Sequence, residues 1–505
     1  MPPHATSFPS LGPAKLSIKT KQHCLNVKQL MGQETGIIYL RGALNILRDD
    51  TDVEIKFRQE SNFFYLTGVN EPDFQFVFDF ASHVSYLIAP YIPEAERMWK
   101  GEPDTVEEML QKYNVDQIVY EDDLARLIEA INPSSVFVLD TTDTTPISKV
   151  VPMDKIDICM LKPAMYESRL LKFPWEIQLI RKVTHLSSHA HITLMREVQF
   201  GKNESELQAL FEWECARNGA NYQSYLPIVA SGKHAATLHY THNNKWLNRK
   251  DNPDMLLLVD AGGEKNCYGT DITRTYPVSG KFSAEAKTIY NIVLKMQQVC
   301  EASKAVLDRL RPGTMWTEMQ NLVIRVLCQE LIRIGILVGD QEEILKLGLT
   351  RAFYFHGLGH SVGLDVHDVG GSVVPHLCYV NDLDRLIYVT SLYYSRKAGV
   401  FNCLGDEEDN VARSHFLLDR PLEANMIITV EPGLYFNDVS LKAWTGFPEL
   451  QKYFNLELLQ KYRKVGGVRI EDTVLITENG YENLTIAPKT VDDIEALMAA
   501  THPRN

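Results

Sequence analysis

Residues 256–277 read LLLVDAGGEKNCYGTDITRTYP. Two β-rich runs flank a Gly-Gly-Glu-Lys-Asn turn, the pattern of a β-hairpin. A turn centred between Lys265 and Asn266 sets Asp260 and Asp271 opposite one another on a single face. Two carboxylates so placed repel unless a cation lies between them. Asp260 also closes the apolar run from Met255 to Val259, where an unpartnered carboxylate is costly. A solvated hairpin with chance acids is the competing reading, and that apolar run counts against it.

Downstream, His356-Gly-Leu-Gly-His360 is followed by Gly363-Leu-Asp-Val-His367-Asp368. Histidines four apart share one side of a helical turn and reach a common metal. Gly357 stands where the zincin motif needs Glu, so that zinc site is excluded. Each histidine taken singly suits a structural hydrogen bond, but three within a glycine-rich stretch favour a site. Two more acids end apolar strand patterns. Glu431 closes ITVEPG, and Glu471 lies in GGVRIED, where alternation puts Arg469 and Glu471 on one face. Four carboxylates and one imidazole suit two divalent ions ~3.5–4 Å apart, with a bridging water that becomes a nucleophile near neutral pH. Oxygen-dominated ligation favours Mn or a similar ion over structural zinc. The chemistry expected is hydrolysis.

The rest of the chain supplies the frame. Its 505 residues suit two domains. Acids outnumber bases 65 to 51, a net charge of −14 that disfavours nucleic acid and anionic membranes as partners. The eight cysteines are scattered without a C-x-x-C pair, which reads as reduced thiols. With no signal-peptide core and no membrane-length apolar window, a cytoplasmic location is expected. Strand-like runs at 36–40, 63–67, 74–80, 84–89 and 136–139 alternate with helical patterns at 105–113 and 122–130, predicting an α/β first domain. Helices are predicted at 174–198, 204–218, 284–310 and 315–334, and strands at 255–260, 270–277, 426–431 and 465–477, making the second domain α+β.

Taken together, Asp260, Asp271, His360, Glu431 and Glu471, in that order and in those motifs, resemble the ligands of the pita-bread metallopeptidases. That family includes methionine aminopeptidase, aminopeptidase P and prolidase. FRQESNFFYLTGV (57–69), HGLGH, DVHDVGG and TVEPG bring the chain nearest the eukaryotic prolidases. The resemblance implies an aminopeptidase P-like α/β domain at 1–165 and a pita-bread catalytic domain at 166–505. It implies Asp260 on one metal, His360 and Glu431 on the other, and Asp271 and Glu471 bridging. His367 would stabilise the oxyanion. His239 and His356 would bind substrate, Tyr225 would line the pocket, and Arg469 would orient Glu471 or its surroundings. The implied reaction is cleavage of the imide bond in proline-containing dipeptides by an Mn-dependent, cytoplasmic homodimer.

One stretch departs from the prolidase pattern. Residues 372–418 are longer than expected between DVHDVGG and TVEPG, which points to an insertion or an imperfect gene model. The arginine that holds the substrate carboxylate has no clear equivalent, Arg413 and Arg420 being the candidates. Loss of that arginine favours an alternative, the aminopeptidase P reaction on longer Xaa-Pro peptides. A non-catalytic binding protein is a second alternative, disfavoured because all five ligands are retained.

Overall fold

The computed structural model describes residues 18–301, 310–370 and 420–500. The chain divides into two compact units. One comprises Met1–Ala164 with Pro174–Leu179, and the other Met165–Phe173 with Ile180–Asn505.

The first unit is built on a six-stranded sheet of β1 (Ile37–Arg41), β2 (Gln75–Asp79), β3 (Ser85–Ala89), β4 (Gln117–Tyr120), β5 (Val136–Phe137) and β6 (Ile156–Asp157), in the order β4-β3-β2-β1-β5-β6. β2 runs antiparallel to β1 and β3, while β4, β5 and β6 pair in parallel with β3, β1 and β5. Ile37, Tyr39, Val77, Ile88 and Val136 form its core with Leu124 and Ile128 of the helix Leu124–Ile131. The run at 63–67, expected as a strand, is instead helical from Ser61 to Thr67. Glu60 caps it by accepting from the backbone of Asn62 and Phe63, and Gly68 ends it in the left-handed region at φ 71°. The short apolar run carries no helix periodicity because the helix is buried along its length.

The second unit contains β7 (Tyr222–Gln223), β8 (Ile228–Ser231), β9 (Leu256–Asp260), β10 (Gly263–Glu264), β11 (Thr273–Pro277), β12 (Ile427–Val430), β13 (Gly433–Tyr435), β14 (Gly467–Arg469), β15 (Asp472–Thr477) and β16 (Gly480–Asn483). They pair antiparallel as β8-β9-β11, β12-β15-β16, β13-β14 and β7-β10. The long helices are Pro174–Glu197, Glu204–Arg217, Ala284–Glu301 and Trp316–Arg333. Their apolar faces and the strands share one continuous core.

Two local departures from the sequence expectation place the site. The hairpin turns at Asn266 and Cys267, both at positive φ (50° and 59°), and Lys265 and Tyr268 exchange backbone bonds of 2.9 and 3.0 Å. Moving the turn centre by one residue moves the register by two, so Asp260 faces Thr273, not Asp271. Because side chains alternate with period two, Asp271 keeps its face and sits diagonal to Asp260. The run expected as one strand over 465–477 breaks into β14 and β15. The Glu471 backbone N–H crosses to the Thr273 carbonyl at 3.0 Å, and the Arg274 guanidinium holds the Glu471 carbonyl at 2.7 Å.

Candidate metal centre

Strand ends carry the acids inward. Asp260 closes β9, Asp271 precedes β11, Glu431 follows β12 and Glu471 occupies the break before β15. His360 is stitched to β12: its carbonyl accepts from Thr429 N–H at 2.8 Å, its own N–H donates to Thr429 Oγ1 at 3.0 Å, and Val362 N–H reaches Ile427 at 2.9 Å. That approach requires glycine at 359, where a Cβ would lie 2.1 Å from the Thr429 carbonyl oxygen.

The five residues expected as ligands come together. Asp260, Asp271 and Glu471 offer oxygens within 4.8 Å of one another, and so do the donor atoms of His360, Glu431 and Glu471. Glu471 belongs to both triads. His360 Nε2 lies 3.5 Å from Asp271 and 3.3 Å from Glu431. Burial pushes Asp260 up to about 7 against the pull of Arg469, with Asp271 adding to the rise. Burial, reinforced by Asp271, Glu431 and Asp260, drives Glu471 well above the usual carboxylate range. Burial would also raise Asp271 and Glu431, but His360 keeps both low. His360 is in turn held well above its ordinary value by Asp271 and Glu431, despite its own burial. Four carboxylates thus share too little positive charge. Glu471 Oε1 is buried without a hydrogen-bond partner. Two divalent cations fit this donor set, satisfying that oxygen and supplying the missing charge.

Around the donors, Tyr225 hydroxyl bridges Asp260 and Asp271 at 2.5 Å each. His367 packs edge-on to His360 with ring centroids 4.3 Å apart, and it forms a further candidate ligand group with Asp271 and His360. His367 is exposed at the surface of the cluster, and desolvation of its ring, with His360 beside it, lowers its pKa, while burial lowers that of His356 to about 4, leaving it neutral near pH 7. His356 Nδ1 lies 2.8 Å from the Gly357 carbonyl and Nε2 2.9 Å from Tyr435 hydroxyl. His239 is exposed.

Both arginines singled out in the sequence are held by carboxylates of the protein. Arg469 pairs with Asp260 and reaches Thr273 and Tyr435 at 3.0 Å, so it acts on the surroundings of Glu471 through Thr273, whose hydroxyl donates to Glu471 at 2.7 Å. Arg420, a candidate for the substrate carboxylate, is held by Glu167 at 2.8 and 3.0 Å and by Glu423 at 2.5 Å. Neither partner belongs to the cluster. Arg413 and residues 372–418 lie outside the described residues. Thr273, Thr429 and Tyr435, which buttress the donors, were not anticipated. Tyr435 had a signal, since it continues the strand alternation just past the TVEPG motif.

Residues 178–478 match the family model described as metallopeptidase family M24, and residues 22–152 match that of the aminopeptidase P N-terminal domain. The chain belongs to metallopeptidase family M24. Members of M24 carry a dinuclear divalent-metal centre, and the donor cluster lies within the matched segment. The chain is 37% identical over 487 residues to a probable Xaa-Pro aminopeptidase of Ajellomyces capsulatus, covering 95% of this chain and 96% of that protein. It is 38% identical over 472 residues to one of Botryotinia fuckeliana, covering 94% of each. Among solved structures, aminopeptidase PepP of Pseudomonas aeruginosa superposes with a TM-score of 0.74 at 29% identity, over 96% of this chain and 99% of that one. A zinc-substituted Escherichia coli aminopeptidase P in complex with product gives 0.74 at 28%, over 97% and 99%. The expected fold, an aminopeptidase P-type N-terminal domain followed by a pita-bread domain, is the one found. The expected prolidase kinship holds only at family level, because these M24 relatives are named aminopeptidases.

Proposed function

We propose that the chain is a dinuclear Xaa-Pro aminopeptidase, releasing the first residue from peptides with proline in second position, with Mn²⁺ as its working metal. The observation that carries the reading is the pair of donor triads sharing Glu471. The aminopeptidase reading is favoured over the dipeptidase one by the relatives' names and by the engagement of Arg420 and Arg469 with carboxylates of the protein itself. A dipeptidase has to hold the substrate's C-terminal carboxylate, usually with such a cation. A longer peptide makes no such demand.

When bound, the two ions supply Lewis-acid polarisation of the scissile carbonyl and a water acidified to near neutral pH. His367, edge-on to His360, is suited to present a ring N–H toward charge developing on the carbonyl oxygen. In His356, Nδ1–H donates to Gly357 while Nε2 accepts from Tyr435, whose oxygen accepts from Arg469. That relay fixes the imidazole beside Glu431, whose Oε2 is 3.6 Å from Nδ1. Glu431, side chain 16% accessible, is the cluster acid most open to substrate. It is suited to take the nucleophile's proton and pass it to the departing proline nitrogen, which has no N–H of its own in the imide.

The test is hydrolysis of Gly-Pro-Ala against Gly-Pro, with added Mn²⁺ and then with chelator. Faster, chelator-sensitive release of glycine from the tripeptide is expected. Preference for Gly-Pro would restore the dipeptidase reading, and turnover indifferent to chelation would overturn the metal mechanism.

A further inference from the structure

His360 and His367 lie on one loop but are secured differently. His360 is bonded to β12 through backbone and Thr429, as described. His367 sits past Gly363, whose carbonyl accepts from Gly269 N–H at 2.8 Å; around His367 the backbone is tied by Gly363 N–H to Asp365 at 3.1 Å, Asp368 N–H to Ser361 at 3.0 Å, and Ser361 hydroxyl to Asp368 and Val369 carbonyls at 2.8 and 2.5 Å. Beneath it lies a buried charge cluster that the reaction does not use. One nitrogen of Arg169, from the helix Leu161–Leu170, reaches Asp365 at 2.7 Å and Asp368 at 2.5 Å. Lys172 adds a contact to Asp368 at 3.2 Å. The side chains of Arg169, Lys172 and Asp368 are 3%, 1% and 1% accessible, whereas Asp365 is 47% accessible.

Burying two cations and an anion is expensive unless geometry is well satisfied. Here the two acids gripped by Arg169 stand one and two residues from His367. The cluster is also sterically committed, since a Cβ at Gly363 would meet Asp368 Oδ2 at 2.1 Å and Lys172 Cε at 3.1 Å. We infer that Arg169 is a positioning residue for His367: by holding Asp365 and Asp368 on either side of it, the guanidinium fixes the imidazole over the metal-donor cluster. This rests on the peptidase reading, in which His367 touches the substrate.

A double-mutant cycle on Mn²⁺-loaded full-length protein tests it, using Gly-Pro-Ala and the variants Arg169→Met, His367→Ala and both together. Arg169→Met is expected to lower kcat by about 10–100-fold with bound-metal content unchanged. In the His367→Ala background the same change is expected to cost little more. Equal losses in both backgrounds, or loss of metal with Arg169→Met, would overturn the inference. Ring-labelled histidine NMR of the metal-free protein gives an activity-independent reading. The His367 resonance is expected to shift or split in Arg169→Met while that of His360 stays put, and an unmoved His367 signal counts against the clamp. If Arg169→Met does not fold, Asp365→Asn, which removes the half-exposed partner, repeats the cycle with a smaller loss seen only when His367 is present. Additive loss overturns the proposal there too. A parent protein that cleaves no Xaa-Pro peptide defeats the peptidase reading alone, because the histidine spectra still report on the clamp.

Discussion

Glu471 and Asp472 are neighbours, both buried, and their surroundings are opposite. Asp472 receives Arg274 at 2.6 Å, Lys489 at 2.5 Å, Asn483 at 2.8 Å and Gln297 at 3.2 Å. Burial would raise its pKa, yet Arg274 and Lys489 hold it far below the ordinary value. Glu471 receives one hydroxyl, that of Thr273 at 2.7 Å, and its other oxygen has no partner. The break between β14 and β15 turns the two side chains to different neighbourhoods. A buried acid with a full set of donors is structural, whereas one left short of donors is waiting for a cation. That distinction, more than acidity or burial, separates framework from site in this fold.

The largest expected effect comes from the acids short of donors. Glu431→Ala or Glu471→Gln should lower turnover of Gly-Pro-Ala by at least about 10²–10³-fold, measured with saturating Mn²⁺. Turnover within a few-fold of the parent would show that these oxygens do not serve the chemistry. The same variants should lose the stabilisation that metal gives the parent, roughly 2.7 kcal/mol at a hundredfold excess over Kd, read as a shift in thermal midpoint on adding and chelating Mn²⁺.

Asp472→Asn should behave in the opposite manner. It leaves Arg274, fully buried, without its counter-charge, a loss of about 3–5 kcal/mol in urea denaturation. The loss is expected in metal-free and metal-loaded protein alike. If Asp472→Asn instead altered only the metal-loaded form, the acid would belong to the site.

Acidity separates the pair by sign. Glu471 has a raised folded pKa in the metal-free protein. Above about pH 4.3 the unfolded chain therefore binds fewer protons than the folded one, and this term lowers stability as pH rises. Asp472 has a depressed folded pKa, so its contribution is present above about pH 3.9 and is lost as pH falls toward its folded value. Urea midpoints of metal-free protein between pH 4 and 8 should fall less steeply with pH in Glu471→Gln than in the parent. An unchanged slope would mean that Glu471 is already paired.

Much of this contrast was readable beforehand and part was not. Asp260 and Glu431 close largely apolar strands, and an acid in that position announces its burial, whereas Glu471 lies in an alternating stretch that places it on the face of Arg469. The register of the hairpin was offset by two residues because the turn uses Asn266 and Cys267 at positive φ, a choice that the preceding Gly-Gly pair obscures. The offset cost nothing functionally, since period two preserves the face. The strand break at Ile470–Glu471 was invisible, because alternation continues through it and the interruption comes from Thr273 and Arg274, nearly two hundred residues upstream. The partners of Arg169 and Arg420 were likewise set by distant chain, which no local pattern encodes.

The smallest effect is expected at a third acid with a full set of donors, this time exposed. Glu60 accepts from Asn62 N–H at 3.0 Å and Phe63 N–H at 2.8 Å, capping the helix that replaced an expected strand. Glu60→Ala should cost about 1 kcal/mol in denaturation of the metal-loaded protein and leave kcat on Gly-Pro-Ala unchanged. The cost is smaller than for Asp472 because water replaces a lost acceptor at the surface, whereas nothing replaces it in the core. A cost near that of Asp472→Asn would show that the cap, not the apolar faces of Phe63, Phe64 and Leu66, decides helix over strand at this position.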